Sequence, residues 1–228
     1  SLHSSPPKVA IVDHLSFFPE QSNPTFVEEC INILKSGGLS WKYYKGEDVT
    51  VDFYRNLPSY GSSLIILRVH SAIMRVNDEI IPLLGLFTSE LYSDAKARMY
   101  RSDIYFDGEY HNDSLFMAHF PGEEIYYFAI GPKFVEKRMN GNFQNTIIIM
   151  MGCEGLGYDG KTYTDIAEAF INKGAKVYIS WNGHISIDHT DQATVQLLQS
   201  LILHKQTIKG AVTETMGIVG KDLSLIHI

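Results

Sequence analysis

Short apolar runs alternate with segments whose apolar residues recur at helical spacing, and this alternation predicts a layered α/β fold. Lys8 to Asp13 (KVAIVD) reads as a buried strand that delivers Asp13 and His14 at its carboxyl end. Asn23-Pro24 opens a helix with Phe26, Val27, Cys30, Ile31 and Leu34 on one face, and Gly37-Gly38 end it. A second strand is expected over Trp41 to Tyr44 and a short amphipathic helix over Val51 to Leu57. Ser63 to Val69 (SLIILRV) is a continuous apolar strand ending at His70.

The pattern changes between about 82 and 140. Aromatic residues crowd there, among them Tyr92, Tyr100, Tyr105, Phe106, Tyr110, Phe116, Phe120 and Tyr127, with turn signals at Asp107-Gly108 and Pro121-Gly122. This reads as a β-rich insertion. Asn145 to Met151 (NTIIIMM) then restores the buried-strand signature and runs into Gly152-Cys153-Glu154-Gly155. Next come a helix over Thr164 to Lys173, a strand over Lys176 to Trp181 and a longer helix over Thr190 to His204. The whole predicts one domain with a mostly parallel sheet, helices on both faces and one insertion.

Composition narrows the function. The formal net charge of −7 argues against a surface that neutralises nucleic acid phosphates or anionic lipid. No apolar run reaches the ~18 to 20 residues that span a bilayer. The first residues, Ser1 to Pro7, carry no signal pattern and no initiator Met, which fits a trimmed or processed start and leaves localisation open. Two cysteines, Cys30 and Cys153, exclude a disulfide framework. No cofactor is expected. His184, Asp188 and His189 have no recognised ligand spacing, so no metal is expected either, and they read as surface residues.

In open α/β sheets reacting groups gather beyond the carboxyl ends of the strands. Three predicted ends carry reactive side chains: Asp13-His14, His70 and Cys153. A thiol needs a base nearby to react as thiolate near neutral pH, so His70 and Cys153 form the candidate dyad. Cys30, on the apolar face of a helix, reads as packing. Glu154 reads as exposed or as a partner of a helix dipole.

The segments Leu64 to Ser71 (LIILRVHS) and Ile147 to Gly155 (IIIMMGCEG) resemble the His and Cys strand ends of the caspase-like cysteine peptidases, in the same His-before-Cys order. Asp165 to Phe170, Gly174 to Trp181 and Asp191-Gln192-Ala193 are similar to the helix, strand and second helix downstream of the nucleophile in CHAT-type members of that clan, which also includes gingipains and legumains. The resemblance covers about 8–81 and 143–216. It implies a caspase-like three-layer α/β sandwich and a cysteine endopeptidase acting on a peptide or protein substrate. It further implies His70 as general base, Cys153 as nucleophile, and the backbone amides of Ser71 and Cys153 as oxyanion donors. Asp13, Met151 and Trp181 would line the substrate pocket. Asp13 also reads as a turn or helix cap, and Trp181 as ordinary core. The family usually has Gly where Ser71 follows the histidine, and often a polar residue at the place of Met151.

Three other readings compete. Gly155 to Gly160 spells G-x-G-x-x-G, the dinucleotide fingerprint, but the next helix starts late. An α/β-hydrolase with a cysteine nucleophile would need Asp188 and His204 or His227 in place of His70. A catalytically inactive scaffold that binds a protein through its aromatic insertion would leave the thiol unused.

Overall fold

The structure, a computed structural model, describes residues 9–76, 79–101, 114–158, 161–220 and 225–227. The central sheet begins with β1 (Val9–Asp13), β2 (Trp41–Tyr44) and β3 (Leu64–Arg68), and three strands from later in the chain complete it. Each of these first three lies where the apolar run predicted it. Two helices connect them, α1 (Pro24–Ser36) and α2 (Val51–Asn56). Asn23 caps α1 by accepting from the Phe26 amide, and Thr50 caps α2 by accepting from the Phe53 amide.

The aromatic segment forms its own antiparallel sheet: β4 (Ser71–Val76), β5 (Glu79–Leu91), β6 (Leu115–His119) and β7 (Tyr126–Ile130), in the order β4-β5-β7-β6, with α3 (Asp94–Met99) between β5 and β6. Its first strand begins directly after His70, so the boundary expected near 82 falls inside β5 instead. Tyr105, Phe106, Asp107-Gly108 and Tyr110 lie outside the described residues. After α4 (Pro132–Arg138) the chain returns to the central sheet as β8 (Thr146–Met150). A two-strand ribbon, β9 (Gly157–Tyr158) and β10 (Lys161–Thr162), leads to α5 (Asp165–Asn172), β11 (Ala175–Trp181), α6 (Ile187–Leu198), α7 (Ile208–Val219) and β12 (Leu225–His227). The helix expected over Thr190 to His204 starts earlier because Ser186 caps it, and it ends in a π turn over Gln199–Leu203.

The central order is β12-β11-β8-β3-β1-β2, with all strands parallel except β12, which runs antiparallel to β11. Chain order reverses between β1 and β3, the kind of switch point where α/β proteins open a crevice. Side chains alternate across the sheet. Val9, Ile11, Leu64, Ile66, Ile149 and Ile179 pack against α1, α6 and α7, whereas Ala10, Val12, Ile65, Leu67 and Ile148 pack against α2, α4, α5 and the second sheet. No helix among the described residues is long and apolar enough to cross a membrane.

One residue breaks the apolar run of β3. Arg68 is fully buried at its carboxyl end and is held by two carboxylates: Nη1 donates to Asp13 Oδ1 (2.9 Å), while Nε and Nη2 donate to Asp191 (2.8 and 2.9 Å). A buried charge survives only when paired and hydrogen-bonded. Asp13 also accepts from the Ser16 amide and the Tyr43 hydroxyl, and Asp191 accepts from Asn23. This cluster joins the ends of β1 and β3 to α1, α6 and the turn after β1. Arg68→Met should cost about 3 to 5 kcal/mol, because it leaves two buried carboxylates without their cation. Urea unfolding reads this directly, and a loss under about 1 kcal/mol would show that the cluster holds little.

Candidate functional site

β3 and β8 are neighbours with Leu67 opposite Met150. His70 and Cys153 each come three residues later, just beyond the ends of these adjacent parallel strands, which lie roughly 4.8 Å apart. Both line one cavity of about 240 Å³, together with Ser71, Phe87, Phe120 and Glu154. The sheet register thus leads both residues singled out for chemistry to one cavity.

His70 is fixed from three directions. Its backbone amide donates to His14 Nδ1 (3.4 Å), and its Nε2 meets Gln21 Oε1 at 2.5 Å. The amide oxygen of Gln21 can only accept, which places the hydrogen on Nε2 and leaves the lone pair on Nδ1. Around the ring stand Phe120 (4.7 Å between centroids), Phe18 (5.5 Å), His14 (5.9 Å) and Phe87 (6.2 Å), mostly edge-on. Burial, aided by the Arg68 charge, pushes His70 down to about 4. Burial and the neighbouring His70 push His14 down to about 3, against a smaller opposing effect of the Thr88 backbone. Both imidazoles are therefore neutral near pH 7.

Cys153 sits in a tight turn between β8 and β9. Gly152 and Gly155 allow it: a Cβ at Gly152 would lie 2.2 Å from Ser71 Oγ, and one at Gly155 would lie 1.9 Å from Ser180 Oγ. Ser71 Oγ donates to the Cys153 carbonyl (2.5 Å), and Sγ lies 3.9 Å from the Ile185 carbonyl. Burial raises the thiol; the Ile185 backbone opposes this and the Glu154 carboxylate adds to it. At rest the pair is thus thiol and imidazole, not thiolate and imidazolium.

The β4 register sets the direction of the Ser71 amide. Phe87 N–H donates to the His70 carbonyl, and Ser71 faces Leu86 at the next, non-hydrogen-bonded position. Ser71 and Ile73 therefore aim their N–H groups off the edge of β4, toward the turn holding Cys153. The Ile73 amide ends on Glu154 Oε2 (3.1 Å).

The three residues expected in the substrate pocket do not line this cavity. Asp13 is buried and committed to Arg68, so it serves as turn cap and ion partner. Met151 and Trp181 face the opposite side of the sheet and pack among α1, α6 and α7, since alternation carries Ile149 and Ile179 there too. Glu154 is buried rather than exposed, and its Oε1 lies 3.2 Å from His184 Nε2. Cys30 is fully buried on α1, where burial pushes its thiol up.

Rival sites find less support. Gly155 and Gly157 lead into a β-ribbon and not a helix amino terminus, and Gly160 lies outside the described residues. Asp188 lies exposed in the first turn of α6 and His204 pairs with Glu214, and neither lines the cavity that holds Cys153. Among the described residues no three His, Cys, Asp or Glu side chains are grouped to hold a metal ion.

Sequence reasoning missed Gln21, Phe120 and the neighbour roles of His14 and Glu154. Only Arg68, a lone charge in an apolar run, carried a signal, namely that buried acidic partners must exist.

The lowered histidines set an acid limit on stability. Below about pH 6.5 the unfolded chain binds protons that folded His14 and His70 refuse, so stability is complete above that pH and falls toward pH 4 and 3. Each contributes a slope of up to about 1.4 kcal/mol per pH unit in that window. The urea unfolding free energy should therefore drop between pH 6 and 4, less steeply in His14→Phe; equal slopes would contradict the buried neutral state. A comparison with protein-family models finds none that matches this chain, and a search of curated proteins finds no match either.

Proposed function

We propose that the chain is a cysteine endopeptidase of caspase-like type, with Cys153 as nucleophile and His70 as general base. The observation that supports this reading is that both residues follow the ends of neighbouring parallel strands and line one cavity, and burial favours a neutral His70. Support from the fold is coarser: an α/β sandwich whose parallel strands end at this cavity.

In this reading Nδ1 of His70 takes the thiol proton as sulfur attacks the scissile carbonyl, and Nε2–H stays on Gln21. The carbonyl oxygen becomes an oxyanion, and the amides of Cys153 and Ser71 meet it at the moment its charge develops. Collapse expels the amine, which receives the proton from His70, and leaves a thioester on Cys153. Water, deprotonated by His70, hydrolyses the thioester and restores the thiol. Because the resting pair is uncharged, activity depends on His70 remaining deprotonated and on the thiol proton being present to pass on. The aromatic sheet supplies Phe87 and Phe120 as walls that exclude water from this exchange.

A scaffold without catalysis is favoured by one observation, the raised thiol. The two readings separate on a positional-scanning peptide library. Cleavage by the intact chain, lost by at least about 1,000-fold in Cys153→Ala and in His70→Ala with the fold preserved, is the expected result. Equal cleavage by Cys153→Ala would end the peptidase proposal. The pH profile of kcat/KM should hold through pH 5 to 7 and fall only near pH 4, where His70 takes up a proton. An acid limb near 6.5 would instead mean an ordinary, exposed imidazole.

A further inference from the structure

Glu154 stands directly after the nucleophile and is unusual in three respects at once. Its backbone φ is +62°, a left-handed conformation that a side chain of this type seldom adopts. Its side chain is nevertheless buried, 6% exposed in all. Its carboxylate reaches both flanks of the turn, accepting from the Ile73 amide on β4 through Oε2 (3.1 Å) and facing His184 Nε2 across Oε1 (3.2 Å). Its own amide donates to the Gly183 carbonyl (2.9 Å), on the same loop as His184.

A glycine would relieve the backbone at this position, because it populates positive φ without steric cost. The strain of a glutamate is compensated only if its carboxylate does something there. What it does is satisfy an outward-facing amide at the edge of β4, two residues from the amide of Ser71. Ser71 Oγ makes the second tie, to the Cys153 carbonyl. Two contacts thus hold the edge of β4 against the turn, and together they fix where the Ser71 and Cys153 amides stand relative to each other.

We infer that Glu154 is a positioning residue: its carboxylate latches the turn carrying Cys153 to the free edge of β4 and so sets the geometry of the paired Ser71 and Cys153 amides. The inference rests on the peptidase reading for its catalytic consequence, while the latch itself is a property of the fold. An amide oxygen can accept from Ile73 as a carboxylate does, so Glu154→Gln keeps the latch; alanine and glycine remove it. Glycine also removes the strain, which separates positioning from simple turn stability.

The test measures hydrogen exchange at the Ile73 amide and peptide cleavage in Glu154→Gln, Glu154→Gly and Glu154→Ala. Ile73 should lose protection by about tenfold or more in the glycine and alanine variants and keep it in the glutamine variant. In Glu154→Gly, kcat should fall about 100-fold with KM little changed, as for a displaced oxyanion donor, although its Tm matches or exceeds that of Glu154→Ala. Glu154→Gln should retain kcat within about threefold, less than half the logarithmic range that separates latched from unlatched enzyme. Unchanged Ile73 protection in Glu154→Gly, or wild-type kcat in that variant, would overturn the latch. A wild-type chain that cleaves nothing would instead remove the peptidase reading, and Ile73 exchange would still judge the latch.

Discussion

The arrangement depends on one buried cation. Arg68 ends β3 in the dry interior, and its guanidinium fork must find acceptors on every side. Asp13 comes from the end of β1, Asp191 from the first turns of α6, and the Gln21 carbonyl from the short turn that precedes α1. The segment from Asp13 to Gln21 and the distant Asp191 are thereby pinned around the residue two positions before His70. Gln21 is held at its backbone by Arg68 and holds His70 with its side chain. The charge that organises the rim thus fixes the imidazole through one intermediary, and it also helps keep that imidazole neutral.

The second sheet gives the rim its other wall. β4 starts immediately after His70, so the insertion is continuous with the site and not appended to it. Phe87 from β5 and Phe120 beyond β6 stack on each other at 5.1 Å and close around His70. Ser71 and Ile73 from β4 hold the turn that presents Cys153. Each half of the proposed dyad is therefore supported by the central sheet from below and by the insertion from the side.

Much of this framework was legible in the sequence because continuous apolar runs have few alternatives to buried strands; β1, β3 and β8 all lie inside their predicted limits. That His70 and Cys153 would both reach the rim of the sheet was legible for the same reason, since both lie just past such runs. The pocket residues were not. Alternation alone would have sent Met151 and Trp181 to the face opposite the insertion, but which face carries the cavity depends on where the insertion folds. Asp13 could not be separated from a pocket acid without knowing that Arg68 points at it. Gln21 lies in an irregular turn with no periodic signal, and Glu154 is turned inward by a positive φ that its residue type does not suggest.

The central claim is that an imidazole and a sulfur from distant parts of the chain act as one unit. Its most direct measurement is the site and rate of covalent modification by a peptidyl chloromethylketone, read by mass spectrometry of the intact chain and its fragments. The account predicts a single adduct, on Cys153 and not on buried Cys30, formed at least about tenfold faster than by a simple thiol and slowed to that baseline when His70 is removed. Labelling of Cys153 no faster than a free thiol, or unaffected by the loss of His70, would contradict it.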